Sequence, residues 1–188
     1  SYAHIARTLH EHSVDYDVFA SSYYPFWHGT TENLTALLKD IAETYGKQVI
    51  VVETSWVSTL DDADGYPNMV KDASEVATFA PSVQGQADAL RAVIQAVANV
   101  GASGLGVHYW EPAWLPVGPP SEAERSAELW ERFGSGAGTT ASALYLTGKP
   151  GAPVGNEWDN QILFAPDGTP LESLRVFQYA RTGAIAST

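Results

Sequence analysis

The residue most suited to covalent chemistry is Glu53, which comes directly after the apolar run 49–52. A continuous apolar run predicts a strand buried on both faces of a parallel sheet, so the carboxylate would emerge at the carboxyl end of that strand. There it can act as a catalytic group, or it can pair with an arginine or cap a helix. Position alone leaves both roles open.

Aromatic and polar side chains follow three predicted strands at the same end, which favours the catalytic role. A sugar-binding site needs flat rings for the C–H face of the sugar, hydrogen-bonding groups for its hydroxyls and a carboxylate at the anomeric carbon. The candidate substrate-binding residues are Tyr23, Tyr24, Trp27, His28, Trp56, His108, Trp110, Glu111 and Trp114. Each tryptophan among them can instead belong to the core.

The loop after Glu53 contains oxygen-bearing residues at alternate positions: Asp62, Asp64, Tyr66 and Asn68. Calcium binds six to eight oxygens, and carboxylates and carbonyls around a glycine turn can supply part of that shell. The loop is not an EF-hand, because it lacks the distal glutamate and the flanking pair of helices. A solvated acidic turn is the alternative interpretation.

Helical and strand patterns alternate along the chain. Helices are predicted at 1–12, from Thr30 or Thr31 to Gly46, from Ser82 to Gly101, and near Pro170. Strands are predicted at 17–24, 49–52 and 104–110, and the chain between Trp110 and Gly155 is predicted to be rich in loops. This order predicts parallel strands joined by helical crossovers. Three strands do not close a barrel, so an N-terminal part is expected in addition.

Composition excludes several classes of function. The 188 residues carry a formal net charge of −12, which disfavours nucleic acids and anionic membranes as partners. The chain contains no cysteine, so neither disulfides nor thiol chemistry is possible. It contains no apolar stretch of membrane-spanning length and opens without a signal peptide.

Five stretches together resemble glycoside hydrolase family 53, the endo-β-1,4-galactanases. They are residues 22–29, 51–54, 109–114, 157–161 and 171–174. The resemblance implies an α/β fold, a (β/α)8 TIM barrel of clan A type, to which residues 1–182 would contribute about strands six to eight. Residues 183–188 would form a tail or linker.

The resemblance also implies a reaction: retaining endo-hydrolysis of β-1,4-galactan or type I arabinogalactan by a secreted, bacterial-type enzyme. Glu53 maps onto the nucleophile at the end of strand seven. The acid/base would lie on strand four, in an N-terminal half that is a necessary partner of this chain. Glu53 must be ionised to attack, and Tyr23, His28 and His108 are the candidate hydrogen-bond donors to it.

Bacterial members of the family carry calcium in the loop after strand seven, completed from a later loop. Asn156 and Asp159 match that second segment, so the implied metal ligands are Asp62, Asp64, Tyr66, Asn68, Asn156 and Asp159. The family has histidine where this chain has Tyr66, and a small hydroxyl residue where it has Asn156. A backbone or amide carbonyl oxygen from each would serve.

Two other glutamates need an interpretation. The pair Asn156-Glu157 imitates the Asn-Glu of a clan A acid/base, but it follows the nucleophile in the chain instead of preceding it. Glu111 is expected to hydrogen-bond substrate or to orient a neighbour. The competing functions are another clan A retaining glycosidase, such as a mannanase or β-galactosidase, and a non-catalytic, calcium-dependent carbohydrate-binding module.

Overall fold

A computed structural model describes residues 1–133, 138–150, 152 and 154–183. Its helices are α1 (Tyr2–Glu11), α2 (Thr31–Tyr45), α3 (Val83–Ala98), α4 (Ala123–Phe133), α5 (Thr140–Thr147) and α6 (Val176–Thr182), and its strands are β1 (Val18–Ser22), β2 (Gln48–Glu53) and β3 (Gly104–Val107). Short 3-10 helices occupy Ala73–Glu75, Pro120–Glu122 and Glu172–Arg175. None of the helices in these described ranges is long and apolar enough to cross a membrane.

The chain divides into two compact units. The strand unit contains Ser1–Trp56, Gly85–Trp110 and the segment that begins at Arg175. The loop unit contains Val57–Gln84 and Glu111–Leu174. The strand unit therefore carries all three strands, and the loop unit carries the acidic loop.

The three strands form one parallel sheet in the order β1-β2-β3, which confirms the predicted α/β class with helical crossovers. Strand β2 is central, because parallel neighbours pair with both of its edges. The sheet packs one face against α2 and α3, where Val49 and Val51 are completely buried beside Leu38, Ile41 and Val93.

The predicted burial of β2 on both faces is wrong within the described chain. Ile50 and Val52, which alternate with the two buried valines, are only half-buried. The helical layer covers only the face that carries Val49 and Val51.

Helix α2 was predicted with both ends correct. The Thr30 side chain accepts a hydrogen bond from the Asn33 amide at 3.2 Å, and this satisfies one of the donors that every helix start leaves open. Gly46 ends the helix in the left-handed conformation, at φ 64°. Leu34 and Leu38 lie one turn apart on the buried face between these ends.

Helices α4 and α5 correct the prediction of a loop-rich stretch before Gly155. Helix α4 buries only Ser126 and Trp130 among its described side chains, so its apolar pattern is sparse. The small-residue stretch 134–142, whose composition predicts a flexible loop, lies partly outside the described residues, at 134–137, and its last three residues already belong to α5. The last helix also begins later than predicted, at Val176 after a 3-10 turn.

We predict that Thr30→Ala lowers the free energy of unfolding by about 1 kcal/mol, because the Asn33 amide loses its acceptor. Thermal unfolding followed by circular dichroism measures the change. The matched control is Thr44→Ala, an exposed threonine in the last turn of the same helix, where alanine should be neutral or slightly stabilising. Equal losses in the two variants would contradict the capping role.

Candidate active site and metal centre

Glu53 is the last residue of β2, and its main chain is held from both sides. The Tyr23 amide, at the end of β1, donates to the Glu53 carbonyl at 2.9 Å. On the other side the Trp110 amide donates to the Thr54 carbonyl at 2.8 Å. The main chain at Glu53 is therefore fixed, and because the side chain is only half-buried, its carboxylate remains accessible to a ligand.

The Tyr24 hydroxyl donates a hydrogen bond to Glu53 Oε2 at 3.2 Å. Burial raises the pKa of Tyr24, and the adjacent Glu53 carboxylate raises it further, so the phenol stays protonated and remains a donor. Tyr23 and Tyr24 are predicted as substrate-binding residues, but they are only 3% and 5% exposed, and the contact that the structure gives Tyr24 is with Glu53.

The three donors predicted for Glu53 are placed differently. The Tyr23 hydroxyl donates to the Gly29 carbonyl at 2.7 Å, and burial raises the pKa of Tyr23 to about 12. His28 Nδ1 accepts from the Tyr24 amide at 2.9 Å, and desolvation lowers the pKa of His28. His108 is exposed, and no hydrogen bond joins it to Glu53 among the described residues. Tyr24 therefore makes the contact that had been assigned to these three.

The tryptophans of the strand unit differ in exposure. Trp27 makes T-shaped contacts with Phe26 at 4.7 Å and with Tyr24 at 5.4 Å, and it is 49% exposed, so about half of its surface is accessible to a ligand. Trp110 is half-buried. Trp56 is only 1% exposed and packs against Phe26 at 5.8 Å. A buried indole offers no face to a sugar, so the predicted platform role of Trp56 is corrected to core packing.

Gln86 and Tyr109 were missed as candidate residues. Gln86 Nε2 donates to the Trp56 carbonyl at 2.9 Å, and the Trp56 amide donates to the Tyr109 hydroxyl at 3.1 Å. A signal for Gln86 was present in the sequence, because this amide lies on the face of α3 that otherwise carries Ala89, Leu90 and Val93. A polar residue on a buried face requires a hydrogen-bond partner.

Glu111 and Trp114 belong to the loop unit. Glu111 is exposed and has a left-handed backbone, at φ 45°, which is uncommon for a residue other than glycine. Trp114 is half-buried, with its ring edge-on to that of Trp130 at 6.2 Å. Trp130, which the glutamate-rich, helix-like pattern around it predicts to be structural, is 1% exposed.

Three carboxylates of the loop unit converge. One oxygen each from Asp62, Asp64 and Asp159 lies within 4.8 Å of the others. Two oxygens that bind the same calcium ion at the usual distances are at most about 5 Å apart, so the spacing fits a shared cation. The Asp62 carboxylate also accepts from the Asp64 amide at 3.0 Å and from the Gly65 amide at 2.6 Å, which folds the turn.

Two buried oxygens, one in this cluster and one in Asn68, lack a hydrogen-bond partner among the described residues. Asn68 Oδ1 and Asp159 Oδ1 accept no hydrogen bond from any described residue, although both are buried. Burial raises the pKa of Asp159 to about 7, and the nearby carboxylates of Asp64 and Asp62 add to the rise. Burial also raises the pKa of Asp64. Unpaired buried oxygens and crowded acidic groups are what a hard divalent cation would satisfy, so the donor set fits calcium.

Asn156 and Tyr66 lie beside the carboxylates, with their main chains bonded to Asp64. The Asn156 amide donates to Asp64 Oδ2 at 2.7 Å, and the Tyr66 amide donates to Asp64 Oδ1 at 2.8 Å. Asn156 Oδ1 already accepts from the Trp158 amide at 2.9 Å. Both carbonyl oxygens of Asn156 thus keep the capacity to serve as a ligand, since an oxygen that accepts one hydrogen bond retains a second lone pair.

The two loops of this centre are also joined away from the carboxylates. The Met69 amide donates to the Glu157 carbonyl, and Asn160 Nδ2 donates to the Val70 carbonyl, both at 2.8 Å. Glycine is required at position 155, because a Cβ there would collide with the Tyr66 side chain. Glu157 is half-buried in this packing, and burial raises its pKa.

Comparison with known proteins finds relatives that are named as galactanases. It is 53% identical over 185 residues to the endo-beta-1,4-galactanase of Bacillus subtilis (strain 168), a match that covers 98% of this chain and 43% of the relative. It is 43% identical over 107 residues to the probable arabinogalactan endo-beta-1,4-galactanase A of Neosartorya fischeri, covering 54% of this chain and 27% of the relative.

A solved structure gives the same result. The Ignisphaera aggregans GH53 catalytic domain superposes with a TM-score of 0.73 at 32% identity, covering 94% of this chain and 42% of that one. The chain thus spans less than half the length of these relatives. The sequence model of Glycosyl hydrolase family 53 matches residues 1–177, and the chain therefore belongs to that family.

Proposed function

We propose that this chain is part of a retaining endo-β-1,4-galactanase in which Glu53 is the nucleophile. The observation that carries the proposal is the placement of Glu53 at the carboxyl end of the central strand, with its carboxylate hydrogen-bonded to Tyr24. Relatives named as galactanases, one of them 53% identical, support the substrate class.

We further infer that β1, β2 and β3 are strands six, seven and eight of a (β/α)8 barrel. Their parallel order and helical crossovers agree with such a barrel, in which active-site groups lie at the carboxyl ends of the strands. The remaining strands would come from an N-terminal half. That half would supply the second carboxyl group.

The reaction would proceed by two displacements. The ionised Glu53 attacks the anomeric carbon, the glycosidic C–O bond breaks, and the second carboxyl group donates its proton to the leaving oxygen. That group then takes a proton from water, which attacks the glycosyl-enzyme and releases Glu53. A separation of roughly 5–5.5 Å between the two carboxyl groups is required.

Residues of the strand unit would bind and orient the substrate. Tyr24 holds Oε2 of Glu53, which directs the other carboxylate oxygen towards the sugar. Trp27, with half of its surface exposed, would stack on a galactose ring, and Trp110 and His108 offer a further ring and a hydrogen-bonding group at the neighbouring strand end.

We also propose that the loop unit binds one calcium ion. Asp62, Asp64 and Asp159 would supply carboxylate oxygens, and Asn68 a buried amide oxygen that lacks another partner among the described residues. Tyr66 and Asn156 would add backbone oxygens. The ion would offset the repulsion among the acidic groups and tie two long loops together, which reduces the entropic cost of ordering them. A polymeric substrate would place the enzyme outside the cell.

Replacing the nucleophile is expected to abolish hydrolysis. Glu53→Ala, assayed in the chain combined with its N-terminal half, should lower kcat on β-1,4-galactan by at least about 10³-fold, because no glycosyl-enzyme can form. Release of reducing ends measures the rate, with mannan and xylan as comparison substrates. Glu43→Ala, an exposed glutamate on α2, is the matched control and should keep full activity.

A substantial residual rate in Glu53→Ala would remove Glu53 from the mechanism. Cleavage by this chain without the N-terminal half would mean that the acid/base lies within it, and Glu111 and Glu157 would become the candidates. Faster cleavage of mannan or xylan than of galactan would reject the proposed substrate.

Removing calcium is expected to destabilise the protein. At a calcium concentration about 100 times the Kd, chelation should lower Tm by roughly 5–10 °C, since a ligand at that excess stabilises by about 2.7 kcal/mol. Differential scanning calorimetry with and without a chelator measures the shift.

Asp159→Asn should abolish the calcium-dependent part of Tm. Asp61→Asn, an exposed neighbour in the same loop, should retain it. A Tm that does not respond to chelator in the unmodified protein would exclude the calcium site.

A further inference from the structure

Gln86 is a completely buried polar residue near the start of α3, 0% exposed. Its neighbours on the same face of the helix, Ala89, Leu90 and Val93, are apolar and also buried. Burying an amide without hydrogen bonds costs free energy, so the position needs partners that only a polar side chain satisfies.

Those partners are the main chain of Trp56 and the hydroxyl of Tyr109. Gln86 Nε2 donates to the Trp56 carbonyl at 2.9 Å and to the Tyr109 hydroxyl at 3.2 Å. The same hydroxyl accepts from the Trp56 amide at 3.1 Å and donates to the Trp56 carbonyl at 3.2 Å. The amide nitrogen thus uses both of its hydrogens, and the hydroxyl uses its one hydrogen and both lone pairs.

The peptide groups held in this way belong to the segment that begins with Glu53. Upstream, the Tyr23 and Trp110 amides fix the carbonyls of Glu53 and Thr54. Downstream, Trp56 lies beyond the end of β2, where sheet pairing no longer restrains the chain. Gln86 and Tyr109 supply the restraint there, so the four-residue segment is fixed at both ends.

We propose that Gln86 is a positioning residue for the nucleophile, acting through Trp56 and Tyr109 to set the path of residues 53–56. This inference rests on the proposed function of Glu53. Glutamine suits the position because its neutral amide donates two hydrogen bonds from one nitrogen. An ionised glutamate donates no hydrogen bond, and the asparagine side chain is one methylene shorter.

The first test is Gln86→Met, which keeps the length and apolar volume of the side chain and removes both donors. In the chain combined with its N-terminal half, kcat on galactan should fall roughly 10- to 100-fold while KM stays within about twofold, since the change misplaces the nucleophile without altering substrate contacts. Tyr109→Phe removes one hydroxyl and keeps the ring, and it should have the same kind of effect.

Because the three groups act as a unit, the double variant Gln86→Met/Tyr109→Phe should lose less than the product of the two single losses. If Gln86→Met does not fold, Tyr109→Phe alone still tests the network.

A second readout does not depend on activity. Hydrogen exchange of the Trp56 amide should become about tenfold faster in Gln86→Met, relative to the Leu38 amide in the core of α2. This measurement separates the proposed function from the proposed network. If Gln86→Met speeds exchange at Trp56 but the unmodified protein cleaves no galactan, the proposed function is refuted, whereas the hydrogen-bond network of Gln86, Tyr109 and Trp56 is supported.

Two control variants distinguish the loss of the hydrogen-bond network from a general loss of stability and from the change of glutamine to methionine as such. Gln95→Met makes the same change at an exposed position of α3 and should alter neither readout. Val93→Ala opens a cavity in the hydrophobic core on the same face of α3, so it should lower Tm with kcat preserved below the transition and with equal changes in exchange at Trp56 and Leu38. Unchanged kcat in Gln86→Met, or a loss of kcat in Val93→Ala as large as in Gln86→Met, would overturn the positioning role.

Discussion

Parallel pairing of β1 and β3 with the two edges of β2 is the constraint on which the strand unit depends. Parallel strands end at a common edge, so residues distant in sequence, such as Tyr24, Glu53 and Trp110, are brought to that edge by backbone hydrogen bonds alone. Helices α2 and α3 bury Val49 and Val51 on one face of the sheet, and this burial keeps the register of β2 from shifting. The Tyr24–Glu53 hydrogen bond follows from this register.

The loop unit is governed by a different interaction, the repulsion and desolvation of carboxylates. Asp64 and Asp159 are buried close together, and their raised pKa values reflect the cost of keeping both ionised. Backbone amides of Ala63 and Asn156 offset part of that cost by donating to them. A cation shared with Asp62 would offset the rest, and this is the physical basis of the proposed calcium site.

Local signals made the sheet and α2 predictable, since Thr30 and Gly46 mark the helix ends and the apolar run before Glu53 marks the central strand. Which side chains are buried was harder to predict. Trp56 follows the proposed nucleophile in the sequence, where a sugar-stacking role is predicted, but packing against Phe26 buries it. Burial depends on contacts between segments far apart in the chain, which spacing within one segment does not encode.

Trapping the covalent intermediate tests the central claim most directly. A 2-deoxy-2-fluoro-β-galactoside with a good leaving group should form a stable glycosyl-enzyme with the chain combined with the proposed N-terminal half, because the fluorine slows release by water. Peptide mass spectrometry then locates the label. Our account predicts one 2-deoxy-2-fluorogalactosyl group on Glu53. A label on another carboxylate, such as Glu111 or Glu157, would contradict it, as would turnover of the reagent with no label on the protein.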